Sequence, residues 1–502
     1  MKPWRIFIFF TAVALLLLIL ALLFPGQGVT ISRNIHLQFM KPADLQTLSD
    51  AADKAGNVEK LLAASTVTED PEEDYNGGLP VAQENLRPGR DLKDSLEWEA
   101  DSAAAPEPIV NPANVDSLKE AVFKIEFPEG KPDLLDPFFR KLTGLKRGTL
   151  ARTRIIHFGD SQIEMDRMTA LIRYRLQRQF GGSGTGLVQA VPLYSGHMAY
   201  DQTEEGQWLR FTFFGSRDST INHRSYGIMG AFTSVPSPSG DRWPALHYTF
   251  NTARRTGTFD RVKIFLHSYA DSALIAVMVN DTITDTLRNL PGGFSVADYR
   301  HHSGIRTLSL YMDLPHGGRI YGISFESYNG LQMDNIAMRG GSGLIFTKMN
   351  RELQIRMMEY LSPGLLILQF GGNVVPYINA TRYQRGFAKE LAFLHEVCPS
   401  VPIIVIGPSD MSLKEKGRFE TYPGVEPVRD ALRKAALNNG CAFWDLYGAM
   451  GGQNSMPSFV QAEPPLASTD YVHFTALGVN LVAEMFYNAL MVEYNTYLGQ
   501  SK

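Results

Sequence analysis

The chain has 502 residues, of which 44% are hydrophobic, 11% aromatic and 20% charged, with a formal net charge of -4. That is the composition of a folded protein with room for two or three domains of roughly 150 residues each. It excludes the basic face of a nucleic-acid binder, and two cysteines exclude a disulfide scaffold or a four-thiolate zinc site. The eleven histidines include no HExxH, and no P-loop or dinucleotide fingerprint is present, so neither metal nor cofactor is expected.

Residues 6–24 are apolar apart from Thr11, and Lys2 and Arg5 precede them. The run is long enough to cross a hydrocarbon core of about 30 Å. The flanking positive charges predict a cytoplasmic N-terminus and an exported remainder. Pro25, Gly26, Gln27 and Gly28 come next, a poor cleavage site for a signal peptide, so residues 1–28 are read as an uncleaved single-pass anchor in the inner or cytoplasmic membrane. From 66 to 112 the chain is acidic and poor in large apolar residues, with Glu69, Asp70, Glu72, Glu73 and Asp74 almost consecutive. Such a segment buries too little surface to offset its ordering entropy. Residues 29–115 are therefore expected to be a flexible stalk.

Arg154, Ile155, Ile156, His157 and Phe158 form a short β-rich run that leads into Gly159, Asp160, Ser161 and Gln162. Met165, Met168, Ile172 and Leu176 then recur at helical spacing, which predicts a helix directly after the serine. Ser161 thus stands where a strand gives way to a helix, the usual ligand position at the carboxyl ends of strands in α/β folds. His157 lies inside the strand and reads as structural; His301 and His302 read as a loop.

Between about 205 and 330 the period changes to two. Val262, Ile264 and Leu266 alternate with Lys263, Phe265 and His267, and Leu308, Leu310 and Met312 repeat the pattern. Runs at 209–214, 273–279 and 319–325 and turn residues at Asn280, Asp281, Pro291, Gly292 and Gly293 predict an inserted antiparallel β-sandwich. Trp208, Trp243 and Tyr226 are its candidates for stacking on sugar rings, set against ordinary core roles. Both ends of the insertion flank the serine region. Replacing 205–330 by a short linker is therefore expected to spare turnover of a small ester.

Next comes a strand ending in Arg339, Gly340 and Gly341. Another, at 365–370, leads into Gly371, Gly372 and Asn373. Strand and helix then alternate through Ile403, Ile404, Val405 and Ile406 and through Ala442, Phe443 and Trp444, as in a parallel sheet covered on both faces. Cys398 and Cys441 lie near these last two strands. A disulfide or two buried thiols are both compatible with that position. Asp470, Tyr471, Val472 and His473 precede a final amphipathic helix. A nucleophilic serine needs a base and a group to orient that base, and Asp470 and His473 supply both types.

These blocks, in this order, resemble the SGNH (GDSL-type) hydrolase family: a Gly-Asp-Ser serine, a glycine, a Gly-x-Asn asparagine and an Asp-x-x-His near the C-terminus. The resemblance covers 116–204 and 331–502 and implies a flavodoxin-like three-layer α/β sandwich with a parallel sheet. It also implies a Ser161, His473, Asp470 triad and an oxyanion hole of the Ser161 and Gly340 N–H groups with the Asn373 amide, the glycine being uncertain by one residue against Gly341. Gln162 stands where many members have leucine, and Val374 where many have aspartate. The layout of a β-module between the serine and glycine blocks resembles bacterial peptidoglycan O-acetylesterases. The activity this implies is that of an esterase acting on an acylated glycan outside the cytoplasm, in the periplasm or cell exterior. Two alternatives stay open: an O-acetyltransferase fed by a membrane acyl-donor protein, and a carbohydrate-binding wall protein with an idle catalytic domain.

Overall fold

A computed structural model describes residues 29–32, 35–37, 58, 61 and 123–500, apart from 194–196, 198, 216–217, 238–242, 251–257, 378 and 416. The expected anchor at 6–24 and the acidic stretch at 66–112 lie outside the described residues. No helix among the described residues is long and apolar enough to cross a membrane. The chain divides into two compact units, 1–64 and 65–502. In the first, Val29–Ser32 and Ile35–Leu37 pair as antiparallel strands. The expected stalk thus begins with a hairpin, which its β-branched residues favour.

The second unit is built on a five-stranded parallel sheet. Its spatial order is Gly330–Ala337, Arg152–Gly159, Leu365–Gln369, Ile403–Ile406, Ala442–Trp444. Numbered along the chain that order is 2-1-3-4-5, the flavodoxin-like arrangement, whose ligand site lies at the switch between strands 1 and 3. Apolar side chains fill both faces: Ile155, Ile156, Phe158, Leu366, Leu368 and Val405 are all 0% exposed. Helices Ala380–Val397 and Val425–Asn438 cover one face through Leu391, Leu394, Val428 and Leu432. Asp136–Lys146, Thr169–Phe180 and the long C-terminal helix Ala476–Gln500 pack together, with Phe486 edge-on to Trp444 at 5.3 Å. The C-terminal ends of the first three strands are neighbours. Ser161, Gly340 and Asn373 therefore emerge side by side.

The insertion is a sandwich of two antiparallel sheets. One has five strands, in the order Thr282–Leu290, Ala273–Val279, Thr307–Asp313, Ala245–Phe250, Tyr200–Glu205. The other runs Gly293–Arg300, Arg261–Ser268, Gly318–Glu326, Ala231–Val235, Leu209–Thr212, and Gly186–Val188 also pairs with Gly318–Glu326. Sheet membership thus spans 186–326, and the module starts well before 205. The stretch around Gly186 is too short and too rich in glycine to show a strand period. The two ends meet: Leu331 N–H donates to the Gly181 carbonyl at 2.9 Å and Ser327 N–H to Ser183 at 3.1 Å.

Val262, Ile264, Leu310 and Phe325 belong to a core between the two sheets. The opposite face of the six-stranded sheet enters the core of the α/β body, where Phe232, Phe265, Phe294 and Tyr321 join Met357, Met358 and Ile336. A buried ion network crosses the same junction. Arg154 on the first parallel strand pairs with Asp334 and with Glu326 of the sandwich, and Lys263 reaches Glu326 at 2.8 Å. Leu187 N–H donates to Asp334 at 2.8 Å. The insertion shares its core with the catalytic body. Removing the insertion would strip one side of that core.

Candidate active site

Ser161 opens a 3-10 turn, Ser161–Asp166, straight off the first parallel strand. Asp160 caps the turn, accepting from the Gln162 N–H at 3.0 Å. The expected helix does not begin directly after it. Met165, Asp166 and Met168 all have positive φ (58°, 68° and 57°), and the helix starts at Thr169. Side-chain anchors outcompete the helical spacing of the methionines. Glu164 is held by Arg339, whose Nε donates at 2.8 Å and 3.0 Å. Arg173 donates to Asp166 at 2.9 Å. Asn335 donates to the Ile163 carbonyl at 2.8 Å and to Thr169 Oγ1 at 2.7 Å.

His157 completes this support from below. Its Nδ1 is 2.9 Å from Thr169 Oγ1 and its Nε2 is 3.1 Å from Gln369 Oε1. Gln369 Oε1 only accepts, so Nε2 carries the proton and Thr169 donates to Nδ1. Burial pushes the His157 pKa down to about 4. It is a neutral structural residue, as its strand position suggests.

Ser161 Oγ lies 3.2 Å from His473 Nε2, and His473 Nδ1 lies 2.7 Å from Asp470 Oδ2. The spacing of three works because Tyr471 takes a positive φ of 59°. The turn folds back so that Asp470 Oδ1 also accepts from the N–H groups of Val472 (2.9 Å) and His473 (3.0 Å). Burial alone would raise the Asp470 pKa. The hydrogen bonds from His473 and the turn outweigh it and hold the carboxyl below its usual value. Gln162, one residue past the serine, donates through Nε2 to the Val472 carbonyl at 2.8 Å. The Gln162 side chain therefore ties the serine turn to the histidine turn.

The oxyanion side is equally specific. Ser161 is the first residue of its turn, so its N–H has no acceptor inside the turn. The Gly341 N–H donates to the Met338 carbonyl at 2.8 Å, whereas the Gly340 N–H makes no hydrogen bond among the described residues. Gly340 is exposed, has φ +70°, and meets nothing within 4 Å of where a Cβ would stand. Of the two glycines it is the one with a donor to offer. Asn373 Nδ2 donates to Asp160 Oδ2 at 3.1 Å and to the Gly341 carbonyl at 3.2 Å. Its amide is thus oriented beside the serine by Asp160. Burial raises the Asp160 pKa to about 6, against the pull of the Gln162 N–H, His473 and Asn373.

Other candidates fall elsewhere. Tyr226 is 0% exposed and packed edge-on against Phe213 at 5.2 Å, a core residue and no platform for sugar. Trp208 and Trp243 are half-buried in the sandwich, and Trp208 Nε1 donates to the Glu205 carbonyl at 2.9 Å. His301 bonds Tyr299 at 3.0 Å. No group of three His, Cys, Asp or Glu side chains among the described residues is placed to hold a metal ion. Cys398 and Cys441 are free and buried, which decides between the two readings of the pair. Burial pushes their pKa values up to about 11 and about 12.

No protein-family model and no curated protein matches the sequence. Solved structures do. A peptidoglycan O-acetylesterase is 21% identical, with 72% of this chain and 96% of that chain covered and a TM-score of 0.59. The salicylyl-acyltransferase of a tetracycline biosynthetic pathway is 12% identical over 58% of this chain and 96% of its own, TM-score 0.25. An acetyl xylan esterase is 18% identical over 32% and 81%, TM-score 0.25. The first of these shares the fold of this chain.

Proposed function

We propose that this protein is a serine esterase that removes O-acetyl or similar small acyl groups from a glycan outside the cytoplasm, held at the membrane by residues 6–24. The observation that carries the reading is the unbroken relay from Ser161 Oγ through His473 to Asp470, set beside the unengaged N–H of Gly340. Ser161 Oγ attacks the acyl carbonyl carbon and gives its proton to His473 Nε2. Asp470 stays ionised and stabilises the imidazolium. The developing oxyanion takes hydrogen bonds from the Ser161 and Gly340 N–H groups. The Asn373 amide joins by exchanging its bond to the Gly341 carbonyl for the better acceptor. His473 returns the proton to the departing sugar hydroxyl. It then takes one from the water that cleaves the acyl-serine, releasing the free acid and restoring Ser161.

Peptidoglycan is the first substrate to test, since the structure with the shared fold is a peptidoglycan O-acetylesterase. Carbonate-washed membranes containing the full-length protein should release acetate from O-acetylated peptidoglycan. Ser161→Ala should lower the rate by on the order of 10⁴-fold or more. Full activity in Ser161→Ala would remove the nucleophile assignment. Activity that washes off with carbonate would remove the anchor.

A further inference from the structure

Tyr377 is 87% exposed, the largest value among the exposed large hydrophobic side chains described. It ends the 3-10 turn Gly372–Tyr377, which also carries Asn373. At about 2.0 Å of rise per residue the two lie roughly 8 Å apart along the turn. The turn is rigid. Pro376 lies within it, Val375 is 2% exposed, and a Cβ on Gly424 would sit 2.4 Å from the Val375 carbonyl. That contact locks the turn to the start of helix Val425–Asn438. The Tyr377 ring itself stands in water.

The chain before Gly424 brings a second aromatic surface to the Asp470–His473 turn. Strands Ser412–Glu415 and Arg418–Thr421 form a hairpin whose Ser412 N–H donates to the Tyr471 carbonyl at 3.0 Å. Phe419 of the hairpin stacks on Tyr471 with ring centroids 3.5 Å apart and planes 6° apart. Tyr471 is the residue between Asp470 and the catalytic histidine turn. The hairpin base is pinned by buried Asp410, which accepts from Thr421 Oγ1 at 2.8 Å and Met456 N–H at 2.7 Å.

We propose that Tyr377 is the platform on which the sugar ring next to the acylated one lies, with the stacked Tyr471 and Phe419 a second aromatic surface beside the triad. A flat ring with an apolar face and a polar edge suits a pyranose, which presents C–H groups on its face and hydroxyls at its rim. This rests on the esterase reading and names what that reading leaves open: the enzyme selects an extended carbohydrate over a lone ester. The half-buried tryptophans of the sandwich are not needed for that choice.

Two measurements on the full-length protein separate this inference from the esterase reading itself. In a Ser161→Ala background, sedimentation with insoluble O-acetylated peptidoglycan should weaken roughly tenfold on adding Tyr377→Ala. In the active protein, Tyr377→Ala should lower the ratio of kcat/KM on O-acetylated peptidoglycan to that on p-nitrophenyl acetate roughly tenfold, mostly through KM. Tyr377→Trp should restore both and Tyr377→Leu neither. An unmoved ratio with unmoved sedimentation overturns the platform, as does rescue by leucine equal to that by tryptophan. If the unsubstituted protein releases no acetate, the esterase reading fails and the sedimentation series alone decides whether Tyr377 binds glycan.

Discussion

The parallel sheet beneath the triad and the six-stranded sheet of the insertion are both covered on two faces, whereas the five-stranded sheet is covered on one. The burial patterns record it. Strands Ala273–Val279 and Thr307–Asp313 alternate strictly between buried and half-exposed residues. Gly318–Glu326 and Arg261–Ser268 are buried almost throughout, as Leu365–Gln369 is in the catalytic sheet. Antiparallel strands that carry such runs need a second layer to cover them. Here that layer is the catalytic body. The insertion is therefore a structural wall of the α/β body, while the proposed triad and oxyanion hole stay on the carboxyl edge of the parallel sheet.

The hardest test of that division is removal. Replacing 186–326 by a Gly/Ser linker should abolish cooperative unfolding altogether, since it strips one side of a shared core. A monomer that still melts cooperatively and cleaves p-nitrophenyl acetate would show the sandwich to be an appendage after all. A gentler version is Arg154→Met, which leaves Glu326 and Asp334 without their shared cation. Breaking one partner of a buried pair costs about 3–5 kcal/mol, to be read from denaturant midpoints. The chemistry should suffer only through the fraction unfolded.

At the active edge the balance reverses. Asn373→Ala should lower kcat by about 10²–10³, or about 2.7–4 kcal/mol of transition-state stabilisation, while KM and the melting temperature move little. A pure KM effect would place Asn373 in ground-state binding instead. The pH dependence of stability between about pH 4 and 6 should also belong to the α/β side. Asp160 and Asp410 both lie there, and burial raises each to about 6. An unfolded carboxyl releases its proton near pH 4. Between these values the folded state holds protons that the unfolded chain has lost, so stability falls as pH rises from about 4 to 6. Asp410→Asn should flatten that slope by roughly 2–3 kcal/mol across the window. An unchanged slope would mean Asp410 titrates normally in the folded state.

The parts of this molecule that obey a period were legible from the sequence. The buried strand before Ser161, the alternation through Val262 and Leu308, and the order of serine, glycine, asparagine and histidine blocks all locate elements that the structure contains. What escaped was fixed by contacts between distant residues. The helix after Ser161 starts late because Glu164, Asp166 and Thr169 are tied to Arg339, Arg173 and Asn335, and the local pattern of methionines carries no trace of those partners. Gly186–Val188 is a strand only because Gly318–Glu326 offers it an edge. Tyr226 looks like an exposed aromatic until Phe213 and Phe232 close around it. The Tyr377 platform had one faint signal, a Pro-Tyr step four residues beyond Asn373, and exposure is the one property that a sequence does not print.

The clasp at the foot of the sandwich bears on how the chain reaches its native state. Gly159 and Gly330 end and begin adjacent parallel strands, yet some 170 residues separate them. Once the sandwich is formed, Gly181 and Leu331 already touch, and the loop left open shrinks to residues 160–181. Closure entropy grows with the logarithm of loop length, so the shortcut lowers the cost of pairing the two strands by about 2 kcal/mol. The wall should therefore fold before the sheet it supports. Amides of Arg261–Ser268 should gain protection from exchange ahead of those in Gly330–Ala337 during refolding, and the reverse order would show that the clasp closes last.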